Sequence, residues 1–118
     1  MQNFKFDYDK ENDDLFIYST KSKSGASVEI GDVVFDFDKD KKLAAIEIMN
    51  ATKFLKSLIV DHKFSKNTLS ELVSCEIEIN VQDNFLLIKI VFLVKEGRRL
   101  PANLSIPRIS ASSPALKC

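Results

Sequence analysis

The chain has no tryptophan, one histidine, two cysteines, three glycines and three prolines in 118 residues, and its formal net charge is zero. Each scarcity removes a class of function. So few glycines leave no glycine-rich loop to cradle a phosphate, and neither GxSxG nor HExxH occurs. Cys75 and Cys118 follow no metal or redox spacing, and His62 has no histidine to share a metal with. Zero net charge provides no global field to draw in nucleic acid or an anionic membrane. The longest apolar run, residues 85–94, is interrupted by Lys89 and falls short of the roughly 20 residues a spanning helix needs. No basic-then-apolar signal opens the chain, so a soluble, cytoplasmic protein with reduced thiols is expected.

What is present is globular composition. The hydrophobic fraction is 45%, the charged fraction 29%, and nine phenylalanines supply core bulk. The length suits a single domain over 1–118. Its charges are uneven: residues 1–40 hold ten acids against five bases, and residues 95–118 one acid against five bases. Solvated faces are the plain reading, and attraction between the acidic front and the basic end is the alternative.

Periodicity predicts an α+β fold. Phe4, Phe6 and Tyr8 alternate with Lys5 and Asp7, as a half-buried strand does. LFIYS, SVEI, VVFDF and LAAIEIM continue an antiparallel β-meander over 4–60. It runs into one main helix, whose stripe of Ala51, Phe54, Leu55, Leu58 and Ile59 packs on the sheet behind an Asn50 cap. Capping-box spacing of Thr68 and Glu71 predicts a helical turn over 68–73. Residues 61–110 form a hairpin extension: Cys75, Ile77, Ile79 and Val81 alternate with polar residues, then FLLIKIVFLV returns apolar on both faces. Such a strand is either covered twice or part of a subunit interface, and Ile88, Ile90, Phe92 and Val94 are the expected contacts of a homodimer. LSIPRI at 104–109 suits an edge strand, and 111–118 a disordered tail.

Chemistry has few footholds. In DFDKDKKLAAIE, Asp36, Asp38, Asp40 and Glu47 fall at positions 1, 3, 5 and 12 of a calcium loop. Lys41, however, takes the place where the sharp turn wants glycine, and strands replace the flanking helices. A hairpin turn is the preferred reading, with weak calcium or magnesium binding by Asp36, Asp38 and Asp40 as the alternative, joined by the acidic turn at 9–14. Glu47 sits beside apolar neighbours on a strand, where a base such as Lys5 would pair with it. A small hydrolase built on Glu47 or Cys75 is a third reading, without a supporting spacing. His62 is placed at the surface near the end of the helix, and KEGRR at 95–99 at a solvated strand end.

The residues Tyr8, Asp9, Glu11, Asp13, Leu15 and Ile17, then Asp36, Asp38, Ile46, Glu47, Ile48 and Ala51, resemble the pattern of a small prokaryotic family, domain of unknown function 2283. The resemblance covers about residues 4–57 and departs at Lys41 and Ala45, where glycines are common in the family. It implies a compact β-meander with a helix, no catalytic residue, and an antitoxin-like module that binds a protein partner. A non-catalytic, self-associating protein is the expectation.

Overall fold

The computed structural model describes residues 1–107, so the expected tail at 111–118 and Cys118 lie outside the described residues. Eight strands form one sheet: β1 (Gln2–Asp9), β2 (Asp14–Tyr18), β3 (Ala26–Ile30), β4 (Val33–Phe37), β5 (Leu43–Ile48), β6 (Leu72–Val81), β7 (Phe85–Val94) and β8 (Arg99–Pro107). Their order is β3-β4-β5-β2-β1-β6-β7-β8, with every pair antiparallel. The protein is mostly β, a curled half-barrel with two short helices, α1 (Ala51–Lys56) and α2 (Lys66–Ser70). That corrects the balance of the expected α+β arrangement. The main helix is six residues long, and the second hairpin joins the same sheet as the meander.

β1 is the seam. Its residues Gln2–Phe4 pair with Ile77–Cys75 of β6, and Lys5–Asp9 pair with Tyr18–Asp14 of β2. Each half-sheet therefore holds a different stretch of one strand. Inward residues from both halves meet in one core, including Leu15, Ile17, Phe35, Ile46, Cys75, Ile90 and Phe92. Leu55, Ile59, Phe64 and Leu69 enter it from the helical segment. Burying such side chains contributes about 1.5–3 kcal/mol each relative to exposure.

Local chemistry sets where the helices begin and end. Asn50 takes a left-handed backbone and its side chain caps nothing. The expected Asn50 cap is thus replaced by a residue from another element, as shown below. The helix stops at Lys56, yet Leu58 and Ile59 still pack on the core through turns, which is why the apolar stripe outruns the helix. In α2 the box is formed by Ser65 and Thr68, three residues before the expected start at Thr68: the Ser65 Oγ accepts from Asn67 N and the Thr68 Oγ1 accepts from Ser65 N. No described helix is long and apolar enough to cross a membrane.

The edges differ. β8 carries Pro101 and Pro107, as edge strands tolerate, and it covers the expected strand at 104–109 as far as Pro107. The two described ion pairs join Arg98 to Asp61 at 3.1 Å and Arg99 to Glu76 at 3.6 Å. Neither involves the acidic front, so among the described residues that attraction is not formed.

Candidate functional site

The family-like acids fall into place one by one. In the turn after β1, Asp9 accepts from the Asn12 backbone N–H at 3.2 Å and from its side-chain amide at 2.7 Å. Asp13, in a left-handed backbone at φ 53°, aims its carboxylate at the start of α1. It accepts from Thr52 Oγ1 at 2.7 Å and from the Thr52 N–H at 3.1 and 3.2 Å, while its carbonyl accepts from Ala51 N at 2.9 Å. The Tyr8 hydroxyl donates to the same carboxylate at 2.6 Å. Burial alone would raise the Asp13 carboxyl, but the hydrogen bonds from Tyr8 and Thr52 outweigh it and hold the group below its ordinary range. Burial, then the bond to Asp13, push the Tyr8 hydroxyl up to about 12. Asp13 is therefore a clamp between β1 and α1.

The calcium-like spacing dissolves in the same way. Asp36 lies in β4 and accepts from Ser27 Oγ across the β3–β4 pair. Asp38 accepts from Asp40 N at 2.8 Å and Lys42 N at 2.9 Å, closing the hairpin turn, and those amides hold its carboxyl below the usual range. Asp40 is exposed. The three are not gathered around one point, and among the described residues no group of three His, Cys, Asp or Glu side chains is placed to hold a metal ion. Lys41 takes φ 65°, the left-handed turn conformation for which glycine is suited.

Glu47, like the exposed Glu11, is a motif acid without a structural donor among the described residues. Its cross-strand partners are Phe16 of β2 and Val34 of β4. Its charged neighbours are Asp14 and Asp36, carboxylates where a base such as Lys5 had been expected. A hydrogen bond with Asp14, then burial, then repulsion from Asp14 and Asp36 raise the Glu47 carboxyl above its ordinary range. Asp14 Oδ1 is buried without a donor. An irregularity opposite Asp36 and Phe37 also sets Leu43 against Phe37 on the core side, off the face that unbroken alternation would share with Glu47.

Cys75 is fully buried, and burial pushes its thiol up to about 12, so it is a core residue and not an activated nucleophile. His62 is exposed, as expected. Ile88, Ile90, Phe92 and Val94, expected at an interface, are instead covered by this chain's own core, with at most 2% of their surface exposed. A strand apolar on both faces does not reveal which face turns inward. The outward face is Phe85, Leu87, Lys89, Val91 and Leu93, of which Phe85, Leu87 and Lys89 stay exposed while Val91 is buried.

One concavity has an apolar floor. At the end of the sheet opposite the helices, Phe4, Phe37, Leu43, Ile77, Ile79, Val81 and Leu86 line a cleft of about 570 Å³. Its rim is Lys21, Ser22, Asp38, Asp40, Lys41 and Lys42. Gly25 ties the rim loops together: its N–H donates to Phe37 O at 2.7 Å, and a Cβ there would come within 3.2 Å of Lys39 N. Sequence periodicity could not reveal this cleft, because it joins residues from both half-sheets.

These features define a small antiparallel β-sheet protein whose acidic motif residues chiefly build the fold. Residues 5–51 match the family described as Protein of unknown function (DUF2283), and the chain belongs to that family. It is 35% identical over 83 residues to the uncharacterized protein MJ0789 of Methanocaldococcus jannaschii, covering 64% of this chain and 71% of that one. It is 38% identical over 48 residues to a Methanosarcina mazei protein provisionally named a hypoxanthine phosphoribosyltransferase. That similarity covers 41% of this chain and 39% of the relative, so the chain spans well under half of it. No solved structure matches the chain.

Proposed function

We propose that the protein is a non-catalytic interaction module that self-associates as a homodimer through the outward face of β6–β8. The observation that carries this reading is that the start of β7 exposes two large apolar side chains away from the core, Phe85 and Leu87, each 38% exposed. Exposed apolar side chains on a sheet face are natural docking points. Beside them stand Glu78 and Lys89, charges of both signs opposed across β6 and β7, which a two-fold related copy can match. Zero net charge leaves little long-range repulsion between copies. An antitoxin-like role with a different protein would use the same surface, but a second copy is the occupant the mixed charges favour.

Light scattering on the purified chain tests the reading. A dimer at micromolar concentration is expected, and a Phe85→Ser, Leu87→Lys variant should be monomeric with an unchanged circular dichroism spectrum. A wild-type chain that stays monomeric throughout that range overturns the proposal.

A further inference from the structure

We infer that the cleft at the open end of the sheet is a binding site for a small amphipathic anion, an unbranched apolar chain ending in a carboxylate. The apolar part follows from β6. Along its core side, Cys75, Ile77, Ile79 and Val81 are exposed by 0, 3, 36 and 59% in turn. The strand keeps its core-type alternation after the rest of the sheet has stopped covering it. Phe37 and Leu43 from the other half-sheet face this strip, so the uncovered residues floor a cleft and not a flat patch. Its volume of about 570 Å³ lies within the range of small-molecule sites.

The charge at the mouth selects the headgroup. Lys21, Lys41 and Lys42 stand at the rim, and none of them has an ion pair among the described residues. The two rim acids, Asp38 and Asp40, oppose them, so three lysines against two carboxylates leave the mouth one formal charge positive, and Asp38 is additionally turned to the amides of Asp40 and Lys42. Lys41 adds a second argument. It occupies a left-handed turn position that glycine would fill with less strain, so a cation is held at the mouth at a cost in backbone energy. An anion over three lysines, with its chain along Ile79 and Val81, uses both halves of the cleft. This site lies on the face of the β6–β7 hairpin opposite the proposed dimer surface and does not depend on self-association.

Isothermal titration calorimetry with sodium decanoate, kept below its micelle concentration, tests it. Saturable binding at one site per chain is expected, with decyltrimethylammonium, the same chain bearing the opposite charge, at least tenfold weaker. Lys21→Gln with Lys42→Gln, both on the surface, should weaken decanoate tenfold or more without unfolding the chain, and Val81→Asp should do the same from the floor. Equal affinity for the two surfactants, binding insensitive to the lysine pair, or no saturation below millimolar each overturns the inference.

Discussion

The carboxylate of Asp13 caps a helix that begins 38 residues later, holding Thr52 by its N–H and its hydroxyl while receiving the Tyr8 hydroxyl at 2.6 Å. One side chain thus fixes the turn after β1, the start of α1 and the last inward position of the first strand. Tyr8 and Asp13 are both residues of the family pattern. They act as a structural fastening.

Asp13→Ala should therefore lower stability by about 2 kcal/mol, roughly one for the lost cap and one for the stranded hydroxyl. Tyr8→Phe should lose about 1 kcal/mol, because the cap survives. Urea unfolding at neutral pH measures both. The Asp13 carboxyl is depressed in the folded state, so its contribution is present above the unfolded pKa and is lost as pH falls through the folded one. The gap between wild type and Asp13→Ala should narrow in acid.

Glu47 gives the opposite sign. Its folded pKa is raised, so its contribution is fully present below the unfolded value and is lost as pH rises through the folded one. Glu47→Gln offers Asp14 a side-chain amide donor and removes a charge beside two carboxylates. The variant should be more stable than wild type at pH 7, by about 0.5 kcal/mol on the scale of cross-strand pairs. Thermal unfolding across pH 4 to 8 should show that advantage vanishing at the acid end. A difference that does not vary with pH would rule out a raised Glu47 carboxyl.

Lys41→Gly should stabilise the chain by about 1 kcal/mol, since glycine relieves the left-handed strain. The same variant should bind decanoate less well. Thermal unfolding and calorimetry on one sample check both, and a variant that gains stability without losing binding would separate Lys41 from the cleft.

Much of the local architecture was legible in the sequence. The strict alternation of Cys75, Ile77, Ile79 and Val81 marks one strand, and the prolines of β8 mark an edge. What escaped was set by distance along the chain. Asn50 looked like a cap because capping is a local signal, whereas the real acceptor arrives from Asp13 through the tertiary fold. Ile88 to Val94 looked like an interface because a strand apolar on both faces carries no marker of which face wins. The lysine rim and the β6 floor meet through a curl in the sheet, and no single window of residues contains both. Glu47 did stand out beforehand, but its companions proved to be acids, a relation fixed by the β2–β5 and β4–β5 registers.

The division of β1 between two neighbours carries a further consequence. The family match begins at residue 5, where the pairing with β2 begins, and the contact with β6 uses the three residues before it. The second half of the chain thus joins the sheet beside the first residues of β1, outside the part of β1 that pairs with β2 inside the matched segment. A scaffold built this way has a growth point: strands can be appended at the start of its first strand without rewriting the hydrogen bonds that define the original unit.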